Sequence, residues 1–137
     1  MIGQRGLAMY KDRLYFGTPD AHTPISEDSV TGVFVTADGK ILLAGTSILL
    51  AHQENTFDIY ADPMFVVVRL KSSGAVDTAY GSHGFARSNF TRNEGFDGGG
   101  VSVMTPGGSV ITASSADMII DSLTRPVVAK FSAAGAV

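Results

Sequence analysis

The stretch Phe65-Val-Val-Val-Arg-Leu-Lys-Ser-Ser-Gly-Ala-Val76 returns as Pro126-Val-Val-Ala-Lys-Phe-Ser-Ala-Ala-Gly-Ala-Val137, with Gly74 and Gly135 set 61 residues apart. A chain that restates an apolar run and its glycine turn at such a period reads as an array of equivalent units. One unit of this size cannot bury both faces of a small sheet. Neighbouring units must therefore share a core.

Composition narrows the field. The 137 residues suffice for one modest domain, and an apolar share of 45% with only 17% charged residues argues against disorder. A net charge of −3 has the wrong sign for a surface that binds nucleic acid through phosphates. The absence of cysteine removes disulfides, thiolate metal sites and a thiol nucleophile. No apolar run approaches the roughly 20 residues a membrane-spanning helix needs, so no membrane insertion is expected. The opening Met1 to Met9 lacks the apolar stretch of a signal peptide.

The apolar segments are short, rich in Val, Ile and Leu, and fenced by turn residues, which is the pattern of strands. Thr31 to Thr36 and Ile41 to Thr46 flank Asp38-Gly39, a dipeptide that favours a hairpin because glycine accepts the positive φ of a tight turn. The same device recurs where Gly100 to Met104 meets Ser109 to Ser114 through Pro106-Gly107-Gly108. A degraded version joins Gly6–Tyr10 to Leu14–Thr18. One further apolar run follows each later hairpin, Met64 to Leu70 and Arg125 to Phe131. The expected organisation of 1–137 is thus a single module: a leading hairpin at 6–18, a full unit at about 30–90, and a truncated unit at about 100–137.

At this point the residues carry a resemblance. Asp38-Gly-Lys-Ile-Leu-Leu-Ala-Gly45, Phe65 to Gly74, and Val76-Asp-Thr-Ala-Tyr-Gly-Ser-His-Gly84 together resemble the delta-60 repeat. The likeness is close over 30–90 and weaker over 100–137, where Pro106-Gly-Gly-Ser replaces the Asp-Gly-Lys turn. It implies an all-β fold in which antiparallel sheets form propeller-like blades, about two to two and a half per chain. It also implies a bacterial, secreted or cell-surface setting. No catalytic residue set comes with it. A propeller typically closes with four to eight blades. The expectation is therefore either that other blades of a longer parent protein complete the ring or that copies of the chain associate.

Candidate chemistry is sparse. His22, His52 and His83 are spaced too widely to form a metal pair on one strand or helix, and His83 reads as a surface turn residue. The connection from Ser47 to Pro63 is longer than its counterpart and carries His52, Glu54, Asn55, Asp58, Tyr60 and Asp62, so it is the candidate binding loop. Glu54, Asp58 and Asp62 could supply oxygen ligands to Ca²⁺, although no Asp-x-Asp-x-Asp-Gly spacing is present and no metal or other cofactor is assigned. Asn93 to Gly100 lacks phosphate-loop spacing and reads as a connection between units. Asn89-Phe-Thr91 matches a glycosylation tripeptide that also arises by chance. Asp38, Gly39, Gly74, Asp77, Gly81 and Gly84 are read as structural turn residues, the aspartates accepting backbone N–H bonds.

No catalytic residue is named. The expected function is a non-catalytic binding or scaffold module, with a protein or glycan ligand or self-association. The alternative is a fragment of a propeller hydrolase or lactonase with a metal-dependent central site. Such a site would gather Asp, Glu, His and Asn at the inner strand ends. The runs Gly32-Val-Phe-Val and Gly100-Val-Ser-Val are bare of them.

Overall fold

The computed structural model describes residues 8–10, 13–15, 27–52, 59–89, 94–118 and 123–137. Every element among them is a strand: β1 (Ala8–Tyr10), β2 (Arg13–Tyr15), β3 (Glu27–Val35), β4 (Ile41–His52), β5 (Ile59–Leu70), β6 (Phe85–Asn89), β7 (Glu94–Met104), β8 (Val110–Met118) and β9 (Leu123–Phe131). They form antiparallel sheets in chain order, β1-β2, β3-β4-β5-β6 and β7-β8-β9. The all-β expectation holds. The four-stranded and three-stranded sheets are called the first and second sheet below.

Two turns show why these residues fold locally as they do. In the β3–β4 turn, the Thr36 N–H donates to the Lys40 carbonyl at 2.9 Å and the Gly39 N–H to the Thr36 carbonyl at 2.9 Å. In the β7–β8 turn, Thr105 donates to Ser109 at 2.8 Å and Gly108 to Thr105 at 2.9 Å. In each, the threonine hydroxyl also accepts an N–H, from Lys40 at 3.0 Å and from Ser109 at 3.2 Å. Gly39 and Gly108 take φ of 78° and 79°, which a side chain would resist. The shared threonine explains how Pro106-Gly-Gly can do the work of Asp-Gly. The turns after β5 and β9 match in the same way: Lys71 donates to Ala75 and Ser132 to Ala136, each at 2.7 Å.

Two sequence expectations are corrected. The Ser47–Pro63 segment is not a long loop. β4 continues to His52 and β5 begins at Ile59, with Leu49 paired to Asp62, Ala51 to Tyr60 and His52 to Ile59. Likewise Asn93–Gly100 is not a connector, because Glu94 onward belongs to β7 and Glu94, Gly95 and Phe96 pair with Met118, Asp117 and Ala116. Extended backbone needs ladder partners more than it needs apolar composition, and both segments have them. A register shift between Phe96 and Gly100 absorbs the glycine run.

The core lies between the two larger sheets. Leu42, Ala44, Phe65 and Val67, with Tyr80 and Ala86, meet Val110, Ala129 and Phe131 of the second sheet, and Phe34, Met104 and Val127 pack at the margin. The other side of the first sheet holds Val66, Val68, Leu70 and Phe85, with Ile41, Leu43, Met64 and Val76 around them. β5 is therefore buried on both faces, which is why Phe65 to Val68 reads as an unbroken apolar run.

Candidate functional site

Charged side chains converge where the β3–β4 turn meets the segment after β5. The Arg69 Nε donates to Asp77 Oδ2 at 2.9 Å, and the Lys40 ammonium lies 3.3 Å from the same oxygen. Lys40 also reaches Asp38 at 3.2 Å. The Asp77 Oδ1 accepts the Ala79 N–H at 3.3 Å. The backbone fixes this arrangement: the Asp77 N–H donates to the Arg69 carbonyl, and the Arg69 N–H donates to the Gly84 carbonyl. The guanidinium lies over the Tyr80 ring at 4.7 Å and donates to the Ala133 carbonyl at 3.1 Å. Arg69 thus ties the first sheet's loop to the turn that ends the second sheet.

Electrostatics follow from the geometry. Burial alone pushes the Asp77 carboxyl up, but the Ala79 N–H, the Lys40 ammonium and the Arg69 guanidinium outweigh it and hold the carboxyl below its ordinary value. The exposed Asp38 is also lowered, first by the Thr36 hydroxyl and then by Lys40. Burial pushes the Tyr80 phenol up to about 12, with Arg69 pulling the other way. The Tyr80 hydroxyl is buried with no hydrogen-bond partner among the described residues. These charges pair with one another.

A second polar feature sits between the sheets. The Thr31 and Ser102 hydroxyls bond across them at 2.6 Å, and Ser102 bonds Thr112 at 3.0 Å. A neighbouring pair, Ser29 and Thr46, lies 3.1 Å apart on β3 and β4. Hydroxyls on β3, β4, β7 and β8 therefore satisfy each other.

Among the described residues, one sheet face is apolar and open. Val101, Val103 and Val128 are 68%, 55% and 64% exposed. The register aligns Val101 with Ala113 and Ala113 with Val128, and pairs Val103 with Ile111, so they share the outer face of the second sheet. Aligned on Gly39 with Gly108 and on Gly74 with Gly135, the positions Phe34, Leu42, Ala44 and Val67 correspond to Val103, Ile111, Ala113 and Val128. In the first sheet those positions face the core against the second sheet. In the second sheet the corresponding face is open. The sheets therefore stack by unlike faces.

The predicted site residues divide. Asp38 and Asp77 are brought together through Lys40. Gly39, Gly74, Gly81 and Gly84 all occupy turns with positive φ. His83 lies beside them in an exposed turn, with φ of 56°. Of the candidate binding loop, His52 ends β4 while Tyr60 and Asp62 lie within β5, so they belong to a hairpin rather than a loop. Glu54, Asn55 and Asp58 lie outside the described residues, and the Ca²⁺ reading goes with them. Sequence reasoning missed Lys40, Arg69 and Tyr80. An Arg eight residues before an Asp across a glycine turn was the available signal.

No family model, curated protein or solved structure matches this chain.

Proposed function

We propose that the chain is a non-catalytic binding or scaffold module of the delta-60 type, in which the first and second sheets stand as successive propeller-like blades. The observation that carries this reading is the stacking of unlike faces, which leaves an apolar sheet face open. An exposed apolar face on a soluble protein marks an interaction surface more often than a catalytic one. The paired charges around Asp77 support the reading, since Lys40 and Arg69 are both engaged by Asp77 and Arg69 also reaches across to the Ala133 carbonyl of the second sheet's turn. So do the hydroxyls of Thr31 and Ser102 on β3 and β7, the strands that would be innermost in a propeller, where a propeller hydrolase would carry carboxylates and imidazoles. The partners are other blades of a longer parent protein, other copies of the chain, or a protein or glycan at a surface.

The test sets binding against turnover. The chain is immobilised and titrated with a panel of purified surface proteins and glycans. In parallel it is assayed on lactones and esters with added divalent cation. Saturable binding without turnover is the expected result. Turnover that chelation abolishes would overturn the proposal in favour of the hydrolase or lactonase reading.

A further inference from the structure

The open face of the second sheet has a partner of known type within the same chain. The surface that covers the first sheet is built from Met104, Val110, Ala129 and Phe131, with Ser102 beside them. By the same alignment on the glycine turns, these residues stand where the first sheet has Val35, Ile41, Val68, Leu70 and Val33. They are the opposite face of the first sheet. There Val33 and Val35 are 61% and 64% exposed on the edge strand β3. Val68 and Leu70 on that face are already covered within the chain, so what stays open there is the β3 margin at Val33 and Val35. A single chain thus carries an open apolar face at one end and an exposed apolar margin of the matching face at the other, and the two do not meet within that chain.

A second observation points the same way. Within the chain, the turn Ala133–Gly135 is clasped by the first sheet: Gly81 donates to the Ala134 carbonyl at 2.9 Å, and Arg69 reaches Ala133. The equivalent turn of the first sheet, Ser72–Gly74, is exposed, and a Cβ placed on Gly74 would meet nothing within 4 Å. At the other end, Lys130 stands on β9 where Arg69 stands on β5. It is a long cation at the position from which the carbonyl of an incoming turn is reached.

We infer that the outer face of the β7–β9 sheet docks onto the Val33/Val35 side of the first sheet of a second copy of this chain, with that copy's Ser72–Gly74 turn brought to Lys130. The inference rests on the scaffold reading above and names its partner and surfaces. Because the two patches differ, the contact is head-to-tail. It closes into a ring or continues as an array according to the rotation between successive copies.

The experiment is a concentration series of the full chain by light scattering and sedimentation, from micromolar to submillimolar. Wild type is expected to rise in mass above that of one chain. V101E/V128E and V33E/V35E change only exposed side chains, and circular dichroism confirms that each variant folds. Each alone is expected to stay monomeric. Mixed in equal amounts, they are expected to form a heterodimer and nothing larger, since one intact patch of each kind remains. Wild type that is monomeric throughout would overturn the inference and leave the face to a flanking sheet of a longer polypeptide. Dimers of V33E/V35E that persist would overturn it too, by showing two like faces meeting. Either failure leaves the binding-against-turnover test untouched, so the two proposals fail separately.

Discussion

The Gly81 amide donates to the Ala134 carbonyl across 2.9 Å, joining the loop after β5 to the turn after β9 through backbone alone. Gly135 lies so close behind that a Cβ there would stand 2.6 Å from the Gly81 nitrogen. Contact this tight between two main chains fixes how the sheets sit on each other. It also makes the two equivalent glycines unequal.

Gly135→Ala is therefore expected to cost more than Gly74→Ala. Both positions have positive φ, 88° and 84°, and an alanine in that region loses about 1 kcal/mol. Only Gly135 adds a backbone clash, which forces the sheets apart and brings the loss to about 3 kcal/mol. Urea midpoints of the two variants decide the matter. Equal losses would show that the second turn is not clamped.

Asp77 and Asp38 both touch Lys40, yet their substitutions are expected to differ. Asp77→Asn leaves the largely buried Arg69 without its carboxylate and is expected to cost about 2 kcal/mol. Asp38→Asn alters an exposed pair and should leave the melting temperature unchanged. Thermal melts of the two variants at neutral pH provide the comparison.

Acid should erase the Asp77 advantage. Its folded carboxyl titrates below the unfolded value of about 4, so its contribution is complete above that pH. The contribution drains away as the pH falls from there through the folded value. The gap in stability between wild type and Asp77→Asn is expected to narrow over that window, as followed by urea titrations at stepped pH.

Tyr80→Phe is expected to stabilise the protein by about 1 kcal/mol, because it removes a buried hydroxyl that has no hydrogen-bond partner among the described residues while keeping the ring under Arg69. Urea unfolding measures this directly. A loss of stability would mean that the hydroxyl is engaged.

The same phenol gives an alkaline signature. Its folded value is about 12 against an ordinary 10, so the unfolded chain releases this proton first as pH rises between the two. Stability should fall across that interval, and less so in Tyr80→Phe. In the folded protein, a quarter of the tyrosinate absorbance (one of 4 tyrosines) is expected to appear only near the upper value.

The parts legible in the sequence were those fixed by short-range chemistry. Asp38-Gly39 announces its turn because glycine answers a local steric demand. The Met64–Leu70 run announces a strand, and its burial on both faces emerges only with the structure. Residues 47–52 and 59–63 read as loop because the polar stretch His52-Gln-Glu-Asn55 and the charged Asp58 and Asp62 interrupt their apolar runs, while the ladder that joins the two segments leaves no local pattern. The site was harder still. Arg69 meets the Ala133 carbonyl across 64 positions, and Thr31 meets Ser102 across 71. Those meetings depend on how sheets stack, and no local pattern records it. Thr36 and Thr105 were visible throughout, but only their hydroxyl bonds explain why both turns need a threonine.

Stacking by unlike faces gives any assembly of these sheets a direction. Such a structure has a leading end and a trailing end, as a flight of stairs does. A change at Val101 would halt extension from one end only, while a change at Val33 would halt it from the other. One altered subunit could then act as a terminator, and assembly length would be set by stoichiometry.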